Sequence, residues 1–318
     1  MSGDAQRILI TGATGYVGGR LARHLAASNR YEVVLGSRRP QSSNVDPALR
    51  LVMTNYSDAA SLRSACEGVD AIVHLAGANA QSCAADPALA FEVNAVGTAR
   101  LVAAAVLSGV ERFVYLSTAH VYGGGAGLIG EETCARGTHP YATSHRAGED
   151  IVLHARARRE LDGVAARLSN SFGAPASASA DCWMLLVPDL CRQAVRSRRL
   201  VLRSSGLQRR DFITLTDTCA ALEHLLAVES TGDGLFNVGG RWAPTVREMA
   251  DRIAALCPRV LGYEVPVETA PPAAGERSEE FDFRIDRLLA TGFRLARDID
   301  GELAATLEFC AKDGGPYP

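Results

Sequence analysis

The chain has 318 residues, is 47% hydrophobic and 22% charged, and carries a formal net charge of −3. This composition suits a folded chain with one large core and a smaller lobe, and it lacks the basic excess of a nucleic-acid binder. No run reaches the roughly 18 apolar residues of a spanning helix, and no basic-then-apolar leader opens the chain, so a cytoplasmic protein without a membrane partner is expected.

Two residue types narrow the chemistry. The eight cysteines are scattered with no C-x-x-C pair, so no metal site is expected and the thiols should be reduced. Lys312 is the single lysine. Schiff-base chemistry, a Walker lysine and a lysine general base are therefore excluded from the body of the chain.

The polar start MSGDAQR leads into Ile8, Leu9 and Ile10, a short apolar run that fits a buried strand. The run enters Thr11-Gly12-Ala13-Thr14-Gly15-Tyr16-Val17-Gly18, and a helical pattern follows with Val17, Leu21 and Leu25 four apart. Strand, glycine turn and helix N-terminus make an anion site, because backbone N–H groups and the positive dipole end face one spot. Glycine allows the tight turn and the close approach of a pyrophosphate. The spacing is G-x-x-G-x-x-G, not G-x-G-x-x-G. Gly12, Thr14, Gly15, Tyr16, Val17 and Gly18 are the expected dinucleotide contacts.

The second strand, YEVVLGS (31–37), runs into Arg38, Arg39 and Pro40. An acid at the end of this strand would bond the 2′-hydroxyl of NAD, whereas arginine accommodates the 2′-phosphate of NADP. No acid stands there, so NADP is expected, with NAD as the alternative. A short strand at Leu51–Met53 precedes Asn55 and Tyr56, both taken as cofactor contacts, and Ser57 reads as the N-cap of the next helix. VDAIVHLAG (69–77) is a buried strand into a small-residue turn, where Leu75, Ala76 and Gly77 would let the backbone lie close to a cofactor. His74 inside it reads as a packed structural histidine. A long helix is expected over 87–108. Asn94 in its interior lowers helix propensity and calls for a polar partner; it too is placed among the cofactor contacts.

RFVYLST (112–118) is the next strand, ending in Ser117, Thr118, Ala119 and His120. Strands alternating with helices predict a doubly wound parallel sheet, with ligands at the carboxyl ends of the strands, where Thr118 stands. A glycine-rich loop then leads to Tyr141-Ala142-Thr143-Ser144-His145 and a helix to about Glu160. The small-residue run GAPASASA (173–180) should be mobile until substrate binds, with a helix and the strand RLVLRSS after it. The closing GGPYP should fray.

In this order, G-x-x-G-x-x-G, HLAG, VNAVGT, STAHVYG, YATSH, RLSNSFG (167–173), GLQRRDFITLTD (206–217) and LFNVGG (235–240) resemble the extended short-chain dehydrogenase/reductase family, and the resemblance covers nearly the whole chain. It implies a Rossmann-type domain over 1–172 plus 211–240 and a smaller substrate lobe over 173–210 plus 241–318. It also implies NAD(P)-dependent chemistry on sugars, most often nucleotide-linked, and a homodimer through the helices after Pro87 and Tyr141. Thr118 matches the family's hydroxyl that bonds the reacting sugar oxygen, and Tyr141 matches its acid/base tyrosine. Asn170 matches a substrate-contacting asparagine, and Arg210 an arginine that meets the substrate diphosphate by strong bidentate pairing.

Three departures matter. The family's lysine one turn after the tyrosine, which lowers the phenol pKa and holds the nicotinamide ribose, is His145 here. An imidazole is mostly neutral at pH 7; it still bonds a ribose hydroxyl but lowers a phenol's pKa less. The Asp–Glu pair that follows the threonine in the family's 4,6-dehydratases is Ala119–His120, which argues against that elimination and leaves His120 as a substrate-facing second acid/base or a neutral spacer. A second diphosphate arginine is displaced to Arg277. Three readings stand: a keto-sugar reductase, favoured because reduction needs a protonated Tyr141; a sugar-nucleotide epimerase with tightly held NAD; and a catalytically weak dinucleotide sensor, which would need neither Thr118 nor Tyr141.

Overall fold

The computed structural model describes residues 5–38, 48–124 and 126–313; Arg39, Pro40 and the closing GGPYP lie outside them. The first half runs β1 (Gln6–Thr11), α1 (Tyr16–Ala26), β2 (Tyr31–Ser37), β3 (Arg50–Met53), α2 (Ala59–Cys66), β4 (Ala71–His74), α3 (Ala80–Ala85), α4 (Pro87–Phe91), α5 (Gly97–Leu107) and β5 (Arg112–Thr118). Then come β6 (Gly127–Ile129), α6 (Pro140–Ala157), β7 (Asp162–Leu168), β8 (Asn170–Phe172), α7 (Leu186–Ser197), β9 (Leu200–Leu202), β10 (Phe212–Thr214) and α8 (Leu215–Ala227). The chain closes with β11 (Leu235–Val238), α9 (Val246–Leu261), β12 (Val267–Thr269), β13 (Phe281–Phe283), α10 (Asp286–Ala290) and α11 (Ile299–Asp313).

One seven-stranded sheet, ordered β3-β2-β1-β4-β5-β7-β11, frames the molecule, and every pair in it is parallel. The chain winds outward from β1 in one direction and returns through β4 in the other. The crevice opens at their shared carboxyl ends, where Thr11 pairs with His74. Ile8, Leu9 and Ile10 are all fully buried because helices cover both faces, so β1 reads as a continuous apolar run and not as an alternation. Leu21 and Leu25 of α1 and Leu222 and Leu225 of α8 pack with Ile8, Ile10 and Val73. Leu62 of α2, Leu101 of α5 and Val152 of α6 pack with Leu9, Ile72 and Phe113 on the other face. Each such side chain contributes about 1.5–3 kcal/mol by its burial. A separate core joins α7, α9 and α11 with β9 and β12, through Leu190, Cys191, Met249, Ile253, Leu303 and Leu307.

Several local expectations change. Asp58, not Ser57, caps α2, accepting from Ala60 N at 2.9 Å, while Ser57 N donates to Asn55 Oδ1. The helix over 87–107 is interrupted by a π turn at Glu92–Val96 that contains Asn94. By length and a mean hydropathy of 1.4 this helix could cross a membrane, but half of it is buried in the protein, against α2 and α6. The helix after Tyr141 ends at Ala157, and RLVLRSS shortens to β9. The segment 173–180, expected to be mobile, is tied to α1: Tyr16 Oη donates to Gly173 O at 2.7 Å, Arg20 to Ala174 O at 2.8 Å and Arg23 to Ala176 O at 2.5 Å.

Candidate functional site

The glycine turn forms an anion cradle. Gly12 has φ +69°, and a Cβ there would lie 2.7 Å from Ala76 N and from Leu75 C; glycine is what lets the end of β1 meet the turn after β4. A Cβ at Gly18 would collide with Gly12 O. Gly15 is the N-cap of α1 and offers no side-chain acceptor, so the first-turn N–H groups stay open to an anion. This shape fits the pyrophosphate of a dinucleotide. Thr14 is exposed at the turn and Val17 packs behind it. The Tyr16 side chain is buried among Ala180, Cys182 and Leu215, where its hydroxyl donates to Gly173 O. Its backbone remains for a cofactor.

Leu75 N donates to Thr11 O at 3.2 Å and Ala76 N to Thr11 Oγ1 at 3.4 Å, which holds the second edge of the cradle. Asn94 finds the polar partners its position calls for. Its Oδ1 accepts from Ala78 N at 2.8 Å and its Nδ2 donates to Ser144 Oγ at 3.0 Å, so the π turn fastens the post-β4 turn to α6. His74 is packed, bonded to Thr11 Oγ1 at 2.6 Å and Thr98 Oγ1 at 3.1 Å, and burial pushes its pKa down to about 3. Arg38 follows β2 on the surface and Asn55 is exposed. The Tyr56 hydroxyl is buried near the Thr11 and Thr54 hydroxyls; burial pushes its pKa up to about 12, partly opposed by their hydrogen bonding.

Thr118, Tyr141, His145 and His120 come together at the end of β5. Thr118 closes the strand and caps the turn at Ala119–Tyr122, accepting from His120 N at 3.2 Å; its Oγ1 lies 2.9 Å from His120 Nδ1. Pro140 starts α6 with its fixed φ, and His139 Nδ1 caps it by accepting from Tyr141 N. Spacing of four then puts Tyr141 and His145 on one face, ring centroids 4.5 Å apart. The His120 ring meets Tyr141 edge-on at 5.6 Å. Burial raises the Tyr141 pKa, partly opposed by a hydrogen bond with Thr118. Burial, then the proximity of His120, pushes His145 down to about 4, so its imidazole is neutral. His120 is open to the cleft, yet the surrounding protein, Arg210 and His139 lower its pKa as well.

The lobe side supplies Arg210 and Asn170. Arg210 is half-buried, donates to Gln208 Oε1 at 2.9 Å, and has no carboxylate partner among the described residues. Asn170 donates to Asp211 O at 2.9 Å. Asp211 anchors this corner: its carboxyl accepts from Ser169 Oγ, Gly240 N and Trp242 N, while burial pushes its pKa up to about 6. Asp211 escapes notice in the sequence, where it is one acid in RRDF. So does the buried pair beneath Thr118, in which Arg167 donates to both oxygens of Glu149 and Ser117 Oγ donates to the same carboxylate. Glu149, two turns beyond Tyr141 on a helix, looks like any surface acid until the fold buries it.

The fold has counterparts in known proteins. A profile described as the NAD dependent epimerase/dehydratase family matches residues 8–239. The chain is 28% identical over 266 residues to a dTDP-glucose 4,6-dehydratase of Streptomyces niveus, covering 79% of this chain and 77% of that protein. It is 26% identical over 296 residues to a dTDP-L-rhamnose 4-epimerase of Burkholderia thailandensis, covering 79% and 81%. The crystal structure of a Thermus thermophilus UDP-glucose 4-epimerase complexed with NAD superposes with a TM-score of 0.78 at 24% identity, over 96% of this chain and 99% of that one. The chain is a member of the NAD-dependent epimerase/dehydratase family, whose relatives named here are sugar-nucleotide enzymes.

Proposed function

We propose that this protein reduces a keto group on a nucleotide-linked sugar, with NADP(H) as the preferred cofactor. The observation that carries the reading is the state of Tyr141: a phenol kept protonated by burial, bonded to Thr118, with a neutral His145 on its other side. A bound nicotinamide would supply the hydride. Thr118 orients the carbonyl oxygen through its hydroxyl, and Tyr141 passes its proton to that oxygen as the alkoxide forms, so ketone, hydride and proton give the alcohol. His120, exposed and bonded to Thr118, offers a route from solvent through the Thr118 hydroxyl to restore the phenol proton. Arg210 has free donors for the diphosphate, and Asn170 lies beside it for the sugar. Gly12, Gly15, Gly18 and the 75–77 turn would hold the dinucleotide, with Arg38 at its adenosine end. The Ala119–His120 pair in place of Asp–Glu sets this chain apart from a 4,6-dehydratase.

A second reading, epimerisation with tightly held NAD, is favoured by the 4-epimerase relative from Burkholderia thailandensis. Eight cysteines, seven of them buried, suit the cytoplasmic setting we assign. The test is turnover of a panel of nucleotide-linked keto-sugars with the cofactor-free protein. NADPH consumption matched by alcohol formation supports reduction. Purified protein that retains NAD and interconverts two sugar nucleotides without net NADPH use replaces it with epimerisation. A protein inert with the whole panel overturns both.

A further inference from the structure

We infer that Tyr115 is a positioning residue, whose buried hydroxyl holds Nδ1 of His145 so that Nε2 carries the proton and is presented as a donor beside Gly77. Tyr115 sits in β5, fully buried, and its Oη lies 3.0 Å from His145 Nδ1. The space for that hydroxyl is made by Gly148, one turn beyond His145 on α6. A Cβ there would lie 2.5 Å from Tyr115 Oη and 2.9 Å from Asn94 O. On its other side the imidazole faces the post-β4 turn: a Cβ at Gly77 would be 3.5 Å from His145 Cε1 and 3.7 Å from Nε2.

The direction of the bond follows from the acceptors the phenol can reach. Thr98 Oγ1 has one proton, which it gives to Asn94 O at 2.7 Å, and it accepts from His74 Nε2 at 3.1 Å. It keeps one lone pair near the phenol, but the acceptor that Tyr115 Oη meets at hydrogen-bond distance is His145 Nδ1, at 3.0 Å. A buried phenol proton needs an acceptor, and on that distance Tyr115 donates to His145 Nδ1. A neutral imidazole accepts at one nitrogen and donates at the other. Occupying Nδ1 as acceptor therefore places the proton on Nε2. An ammonium is donor-only. Tyr115 thus makes the neutral His145 present the same hydrogen-bond polarity that a lysine would offer a ribose hydroxyl, without its charge. This consequence for the cofactor rests on the reading of the cleft proposed above; the tautomer does not.

The test separates the two. NMR of the full chain with ¹⁵N-labelled histidine, assigned by loss of a signal in His145→Gln, reports which nitrogen is protonated without cofactor or substrate. The expected result is a protonated Nε2 and bare Nδ1 in the wild type, and a mixture of tautomers in Tyr115→Phe. Calorimetric titration with NADPH should then show Tyr115→Phe weakening binding about fivefold, the worth of one neutral hydrogen bond. In a His145→Lys background the same Tyr115→Phe change should alter binding less than twofold, because an ammonium needs no tautomer chosen for it. A wild-type signal with the proton on Nδ1 overturns the inference, and so does an equal loss in both backgrounds, which marks Tyr115 as packing only. The expected tautomer in a protein that binds no dinucleotide overturns the cofactor reading and leaves the tautomer assignment standing.

Discussion

Tyr141 and His145 stand one turn apart on α6 with their rings edge to face, 4.5 Å between centroids, so the phenol's helical neighbour is a neutral ring and not a cation. A phenol in that setting keeps its proton at pH 7. Tyr141→Phe removes the transferable proton and should lower the reduction rate by at least about 10²-fold, the low end for general acid catalysis. Turnover that survives the change makes His120 the next proton donor to test.

His145→Lys asks what the charge would do. A lysine ammonium beside Tyr141 favours the phenolate. The acid limb of the pH–rate profile for alcohol oxidation should move to lower pH, while reduction at neutral pH gains nothing. An acid limb that stays in place in the variant would show that residue 145 does not tune the phenol.

Arg38 follows β2 with no acid at the strand end. Arg38→Ala should weaken NADPH binding more than NADH binding, because only NADPH carries the extra phosphate. Calorimetric titration of both cofactors measures this, and equal or tighter NADH binding by the wild type would sink the NADP assignment.

The glycine turn and the strand–helix alternation of a parallel sheet are legible in the sequence because their signals are local. A strand buried on both faces is a short apolar run, and the turn after it needs glycine at Gly12. Asn94 announces itself as a polar residue in an apolar helix, and its partners at Ala78 and Ser144 are where a helix interior would need them. Tyr115 is silent: in RFVYLST it is one more core aromatic, and only the fold brings it to His145, 30 positions away. Tyr16 is half legible, since its place in the glycine motif says nothing of a side chain that bonds Gly173, 157 positions away. The 173–180 run looks loose by composition because the groups that hold it are its own carbonyls, bonded by residues of α1.

Leu89, Phe91, Val96 and Leu107 are exposed along the helix over 87–107. We propose that this helix and α6 bury them in a homodimer. Light scattering at micromolar concentration should give twice the chain mass, and Phe91→Arg should shift it to the monomer with the far-UV spectrum unchanged, since the substitution touches no core contact. A monomeric wild type removes the proposal.

His74 and His145 make stability depend on pH. Their folded-state pKa values, about 3 and about 4, lie below the ordinary 6.5. A depressed value means that the unfolded chain binds protons that the folded chain refuses. The stabilisation is therefore complete above pH 6.5 and is lost as pH falls through 6.5 toward the folded values. At about 1.4 kcal/mol per pH unit, each histidine costs about 3 kcal/mol by pH 4. Asp211 works the other way. Its folded pKa of about 6 lies above the ordinary 3.8, so its contribution is present at low pH and lost as pH rises through 6. The net slope mixes these opposing terms, and a variant isolates one of them. His74→Gln loses the bonds to Thr11 and Thr98 as the imidazole makes them, so it should be less stable than the wild type at pH 7. Lacking a titrating ring, it should lose about 3 kcal/mol less than the wild type between pH 6.5 and pH 4. Urea unfolding at closely spaced pH values reads the difference, and parallel stability curves for the two proteins would mean that His74 takes up its proton as readily in the fold as in the unfolded chain, which overturns its depressed pKa.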